Sequence, residues 1–464
     1  MNTQDTICAI ATAQGGAIGV IRISGKDAIA ITDRIFTPVG KHPLPLSERK
    51  AYTMAFGHIR QDDGEIIDEV LIGLFKSPHS YTGEDCVEIS CHGSSFILQQ
   101  VMQLLIRKGC RAAGPGEFTQ RAFLNGKMDL SQAEAVADLI ASSSAVTHRM
   151  AMNQMRGGFS RELSALRERL LHLTSLMELE LDFSDHEELE FADRSELETI
   201  AGDIEKVISG LVHSFSVGNV LKNGIPVAIV GETNAGKSTL LNTLLNEEKA
   251  IVSDIHGTTR DVIEDTVNLS GITFRFIDTA GIRDTHDTIE NMGIARSFHK
   301  MEQAEIVLWV VDNTCAEAQI RQLSPRILPL CFNKQLIILL NKSDQVSAVP
   351  TKLSGLPENT VTLSISAKEK TGIQELQNLL VKTASVPELT SSDLIVTNVR
   401  HYEALSLALE DIHRVQNGLQ THLSGDFISQ DLRECLFHLA EIVGGEITAD
   451  EVLGNIFMKF CIGK

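Results

Sequence analysis

The sequence predicts a multidomain α/β protein: an α+β N-terminal domain, a helical domain in two separated stretches, and a P-loop α/β domain inserted between them. Three textures carry this reading. Short strand-like runs broken by Gly and Pro fill residues 1–127, apolar residues take helical spacing without Pro over 128–222 and return to helix over 385–464, and buried strands alternate with helices over 223–384. A length of 464 residues suits about three domains.

In the first domain, "AIGVIRIS", "EVLIGLF" and "DCVEISC" read as strands, and "SSFILQQVMQLLIRKG" as a helix closed by Gly109. The opening stretch carries Asp5 and no Lys or Arg before Arg22, so it reads as strand and turn rather than a signal peptide. "SQAEAVADLIASSSAVTHRMAM" and "FSRELSALRERLLHLTSLMELELDF" follow as helices, and the acidic stretch "DHEELEFADRSELE" as a solvated face. From "NGIPVAIVGETNAGKSTLLNTLL" onward, "ITFRFIDT", "IVLWVVD", "LIILLNKSD" and "VTLSIS" alternate with helices, as in a parallel sheet with crossover helices. Such an insertion is tolerated when the insert's ends lie close together.

A net charge of −20 excludes a grip on nucleic acid by bulk electrostatics, so any RNA contact is local or supplied by a partner. Eight cysteines without a C-x-x-C pair read as reduced thiols in a cytoplasmic protein, and no apolar run is long enough to predict a membrane span. His92 lies near Cys91 and Cys86, but the spacing does not suit zinc. The final "KFCIGK" places Cys461 where a prenyl group would go, yet Gly463 and Lys464 do not fit that signal.

"GETNAGKS" at 231–238 fits the phosphate loop G-x-x-x-x-G-K-[ST] between a strand and a helix. The N–H groups of Asn234, Ala235, Gly236 and Thr239 would face phosphates, Lys237 would reach the β and γ groups, and Ser238 would ligate magnesium. "NKSD" at 341–344 names the base: Asp344 can accept two hydrogen bonds from guanine, Lys342 would support the ring, and Asn341 opens the motif. "SAK" (Ser366, Ala367, Lys368) would close over the base. "DTAG" (Asp278, Thr279, Ala280, Gly281) would sense the γ-phosphate, with Asp278 toward magnesium. Ile282 and Arg283 follow Gly281, so the group that positions the attacking water, and the neutralising cation, must come from elsewhere.

At these motifs, together with "DTICAIAT", "GVIRISG", "SYTGEDCVEISCHG", "GPGEFTQRAFLNGKMDLSQAEAVADLI", "SDIHGTTRD" and "FCIGK", the chain resembles the bacterial tRNA-modification GTPases of the MnmE family over essentially its full length. The resemblance implies a tetrahydrofolate-binding, homodimerising N-terminal domain and a Ras-like G domain inserted into a discontinuous helical domain. It also implies an FAD-dependent partner, MnmG, in a heterotetramer or larger complex. With it, a carboxymethylaminomethyl-type group would be added to C5 of the wobble uridine of certain tRNAs, from 5,10-methylene- or 5-formyl-tetrahydrofolate. It further implies potassium in place of an arginine finger, held by Asn234, Ser253, Ile255 and Thr258. Thr259 would join Ser238 on magnesium, Asp254, His256 and Gly257 would line the same GTP-binding loop, and Glu290 would orient the attacking water through a second water. Arg22, Glu88, Lys127 and Lys464 would contact the folate, and Cys461 stands as either a catalytic thiol or a packed one. Thr233 replaces the family's usual Pro, and Ser94 a Gly, without touching a ligand. The alternatives are a ribosome-assembly GTPase of the Era or Der type, or a scaffold with a vestigial folate pocket.

Overall fold

The computed structural model describes residues 5–13, 15–40, 43–182, 194–248, 265–277, 301–346, 356–357, 360–384, 394–445 and 463. They form two compact units, the first made of Met1–Ala141, Ala151–Ser209 and Glu403–Lys464, the second of Ser142–Met150 and Gly210–Tyr402.

The first unit begins with β1 (Ile7–Ile10), β2 (Ile18–Ser24), α1 (Ala28–Asp33), β3 (Phe36–Pro38), β4 (Thr53–Arg60), β5 (Ile66–Phe75), β6 (Cys86–His92), α2 (Ser95–Arg107), β7 (Arg111–Ala112) and α3 (Glu117–Leu124). The strands form one sheet in the order β3-β4-β5-β6-β2-β1-β7. Alternation assigns its two faces. Ile21, Ile23, Ile72, Leu74, Val87 and Ile89 join Leu98, Val101, Leu104 and Leu105 of α2 in one core. The residues between them, Arg22, Phe56, Leu71 and Glu88, lie on the other face, where Phe56 and Leu71 oppose each other and are exposed.

The helices that follow are α4 (Leu130–Ala141), α5 (Ala145–Met155), α6 (Gly158–Asp182) and α7 (Arg194–Asn223). The helical pattern runs unbroken through "ASSSAVTH", yet the structure stops at Ala141 and restarts at Ala145. Ser144 accepts from the Thr147 N–H at 3.1 Å while the Thr147 hydroxyl accepts from the Ser144 N–H at 3.1 Å, a reciprocal cap that makes a new start favourable. Asp129 and Gln132 cap α4 in the same way, at 2.9 Å each.

The second unit holds β8 (Ile225–Val230), α8 (Lys237–Glu248), β9 (Asp265–Leu269), β10 (Ile272–Phe276), β11 (Ile306–Asp312), α9 (Ala316–Ile327), β12 (Gln335–Asn341), β13 (Val361–Ser364) and α10 (Ile373–Thr383); α11 (Val399–Gln420) and α12 (Gly425–Val443) complete the described helices. The sheet order is β13-β12-β11-β8-β10-β9. Its interior strands are parallel, as read from the sequence, but β9 runs antiparallel to β10 at the edge. Ser270 and Gly271 both take positive φ, 52° and 85°, and such a two-residue turn closes a hairpin rather than a crossover. Aliphatic clusters cover both faces, with Trp309 fully buried in one.

Chain entry and exit of this unit lie side by side. Phe215 of α7 stacks on Tyr402 at 4.4 Å, the Ser214 hydroxyl accepts from the Val396 N–H at 3.0 Å, and a Cβ at Gly218 would overlap the Val396 carbonyl. Gly218→Ala is expected to cost about 1–3 kcal/mol through this overlap. Trp309 is the chain's single tryptophan and lies in this unit, so its fluorescence should report an earlier denaturation midpoint.

Candidate functional site

In the second unit, β8 delivers the chain to the glycine-rich loop and α8 leaves it at Lys237. Asn234 stands exposed with φ 60° and Gly236 has φ 98°. Residues of opposite hand in succession turn backbone N–H groups toward one concavity at a helix N-terminus, which suits phosphate. Gly236 has no room for a side chain, because a Cβ there would overlap the Asn341 amide. Lys237 Nζ lies on the loop's own Gly231 and Glu232 carbonyls at 2.9 and 2.6 Å, within the concavity.

Asn341 joins three loops. It is buried, its Nδ2 donates to the Ala235 carbonyl at 2.8 Å, and its Oδ1 accepts from the Ala367 N–H at 2.9 Å. The SAK segment is tied further by the Thr243 hydroxyl of α8, which donates to the Ala367 carbonyl at 3.0 Å. Ser366 Oγ donates to Asp344 Oδ1 at 2.6 Å and so fixes the carboxylate proposed to read guanine. Lys342, held at φ 63°, donates from Nζ to Asp312 Oδ2 at 2.6 Å. Burial works against charge on Asp312, but hydrogen bonds from Lys342 and from the Thr314 side chain and N–H outweigh it and hold the carboxyl below its ordinary value. Lys368 is exposed, 3.7 Å from Glu369.

Sequence reading missed Gln319. It is buried, donates from Nε2 to Glu232 Oε2 at 2.8 Å and accepts from the Asp312 N–H at 2.9 Å, bracing the phosphate loop against the end of β11. Ser253, Asp254, Ile255, His256, Gly257, Thr258, Thr259, Asp278, Thr279, Ala280, Gly281, Glu290, Cys461 and Lys464 lie outside the described residues.

The first unit holds a second polar constellation. Arg22 and Glu88 are direct cross-strand partners, and Arg22 Nε and Nη2 meet Glu88 Oε1 at 2.9 and 2.8 Å. The guanidinium lies 5.4 Å from the Tyr81 ring centroid and 5.7 Å from that of Phe118, and its Nη1 donates to the Gly463 carbonyl at 3.3 Å. Lys127 lies apart from this pair, its Nζ donating to the Pro78 carbonyl at 3.0 Å. Beside the cluster, Arg121, only 3% exposed, holds Asp5 Oδ1 at 2.9 Å, Glu84 Oε1 at 3.2 Å and Glu117 Oε1 at 3.1 Å. Glu84 in turn accepts from the Ser24 hydroxyl at 2.7 Å, one residue beyond the Arg22–Ile23 stretch of β2. No short motif advertises these pairs, whose members lie up to 116 residues apart.

A family model described as "GTP-binding protein TrmE N-terminus" matches residues 6–127, and one described as "MnmE helical domain" matches 130–461. The chain belongs to the MnmE family. The tRNA modification GTPase MnmE of Bacteroides thetaiotaomicron is 66% identical, covering 99% of this chain and 100% of that protein. That of Flavobacterium johnsoniae is 52% identical, covering 100% of each. A solved structure of Era from Aquifex aeolicus matches 40% of this chain and 65% of its own at 28% identity, with a TM-score of 0.26. Full-length agreement with the MnmE GTPases displaces the ribosome-assembly alternative and makes this chain a GTP hydrolase, to which the phosphate loop above conforms.

Two outcomes follow from the geometry. Asn341→Ala removes both bridging bonds and leaves buried Ala235 and Ala367 groups unpaired, at about 1–3 kcal/mol each. Guanine-nucleotide affinity should fall on the order of a hundredfold in a titration with a fluorescent GTP analogue. Burial raises the Glu117 carboxyl, but Arg111, the Gly114 N–H and Arg121 together hold it below its ordinary value. The stability it contributes is therefore present above the unfolded carboxyl's pKa and lost as pH falls through the depressed one. Glu117→Gln should flatten that acid-side loss, read as hydrogen exchange of α3.

Proposed function

We propose that this chain is a potassium-activated GTPase. With its FAD-dependent partner MnmG, it adds a carboxymethylaminomethyl-type group to C5 of the wobble uridine of certain tRNAs, taking the one-carbon unit from a reduced folate. The observation that carries the folate half of the reading is Arg22 joined to both Glu88 and the Gly463 carbonyl, beside two aromatic rings. Glu88 offers an acceptor to the pterin's donor edge, Arg22 and Lys127 offer cations to the glutamyl tail, and Tyr81 and Phe118 offer apolar faces. Lys464 adjoins Gly463 and is assigned to the same pocket, and Cys461 is assigned as the thiol beside the one-carbon group.

In the GTPase half, the loop N–H groups and Lys237 bind and orient the phosphates, and Asp344 selects guanine. Glu290 orients the attacking water through a second water. Magnesium would be held by Ser238 and Thr259 near Asp278, and potassium by Asn234, Ser253, Ile255 and Thr258. Oxygen donors of this kind suit hard cations, which when bound neutralise phosphate charge. The proposed division is 1–127 for folate binding and dimerisation, 128–222 and 385–464 for the helical domain, and 223–384 for the G domain. The exposed Phe56 and Leu71 on the open sheet face, which also carries Arg22 and Glu88, support pairing with a second copy. We place the protein in the cytoplasm.

GTP turnover should rise steeply when sodium is replaced by potassium at constant ionic strength; equal rates in the two salts would remove the activation. In cells lacking the protein, nucleoside analysis should show wobble uridines without the aminomethyl-type group, and unchanged wobble uridines would overturn the assignment.

A further inference from the structure

In an acidic chain, residues 151–175 stand out with Arg156, Arg161, Arg167 and Arg169 against only Glu162 and Glu168. All four arginines are exposed, and among the described residues none has a carboxylate within ion-pair distance. Elsewhere in the same unit Arg22, Arg111, Arg121, Arg414 and Arg433 each hold an acid, and what sets 151–175 apart is four arginines without such a partner within fourteen residues. On α6 the buried positions Leu163, Leu166, Leu170 and Leu173 define the inner face. Arg161, Arg169 and His172 follow one another at spacings of eight and three residues on the outward side, with about 12 Å of helix rise between the two arginines.

The place of these residues adds a second observation. Gln132 donates to the Met155 carbonyl at 3.1 Å, Gln154 donates to the Ser131 carbonyl at 3.0 Å, and the Ser131 and Ser160 hydroxyls meet at 3.1 Å. The α5–α6 turn is thereby fastened to the capped start of α4, which begins three residues after Lys127. Lys127 packs near Gly83, and Asn125 donates to the Thr82 carbonyl at 2.7 Å, next to Tyr81 under Arg22. Arg161 Nη1 donates to the Arg156 backbone carbonyl at 3.0 Å, which keeps the Arg161 side chain at this turn.

We propose that Arg156, Arg161 and Arg169 form a phosphate-binding edge for the tRNA substrate, on the side of the unit that leads to the Arg22–Glu88 cluster. This rests on the tRNA reading given under Proposed function. A guanidinium with no carboxylate partner keeps most of its donors for a phosphate, even Arg161, which gives one to the Arg156 carbonyl, and a local basic edge lets a protein of net charge −20 hold RNA without a basic surface overall.

The test uses the full chain, and a tRNA with an unmodified wobble uridine, in binding titrations across a salt series. Replacing all three arginines by Ala should weaken tRNA binding and lower the slope of log affinity against log salt by roughly 2, since each lost phosphate contact removes about 0.7–0.9. Arg433→Ala, which removes an arginine already paired with Glu178, should leave both unchanged, and triple replacement by Lys should restore most of the slope. Thermal unfolding of each variant checks the fold. An unaltered slope in the triple Ala variant, or no salt-dependent tRNA binding by the unaltered chain, would overturn the proposal. Weakened binding of the FAD-dependent partner with tRNA affinity intact would assign the arginines to a protein interface and overturn it too. If the unaltered chain with its partner modifies tRNA while the variant binds as before, this inference alone fails. If the unaltered pair leaves tRNA unmodified, the reading beneath it fails.

Discussion

A glycine-rich loop can present its N–H groups to a phosphate only if something outside the loop keeps it in shape, and here that is the buried amide of Asn341. Its two hydrogen bonds reach the loop at Ala235 and the base-side segment at Ala367, so phosphate and base recognition share one rigid connection. Thr243, Gln319 and Ser366 extend it to α8, to the end of β11 and to Asp344. A buried amide with both ends satisfied gains rigidity from low local dielectric, and loses it steeply when either end is cut.

The first unit solves a similar problem with charge instead of amides. Arg121 is nearly fully buried and is tolerable there only because carboxylates surround it, two from the distant Asp5 and Glu84 and one from Glu117 a turn earlier on α3. That network fixes Glu84 and Ser24, and β2 carries Arg22 to Glu88 two residues before Ser24. A site that must discriminate a polar ligand gains from side chains that are immobile beforehand.

What could be read from the sequence follows from how far apart the partners are. The phosphate loop and Asp344 are short contiguous motifs with their own strand and helix flanks, so their residues were nameable at once. Arg22 and Glu88 became candidates only through family resemblance, since nothing in an alternating strand says which arginine meets which glutamate 66 residues away. Gln319 carried no local signal, and Arg121 showed only its Glu117 partner four residues earlier, because their ties to Glu232, Asp5 and Glu84 exist only after the sheets assemble. The break between α4 and α5 and the antiparallel β9 were present in the sequence as Ser144–Thr147 and Ser270–Gly271, where turn chemistry overrode the apolar period.

The stacking of Phe215 on Tyr402 bears on the entropy of the chain. A flexible insert of roughly two hundred residues would cost its host about 4–5 kcal/mol in loop closure. An insert whose ends are already clasped presents the host with a gap only a few residues wide, so nearly all of that cost vanishes once the insert has folded. Once folded, the second unit thus acts on the rest of the chain as a short connection, and it spares the joining of Glu403 onward to the residues that end at Ser209 most of that closure cost.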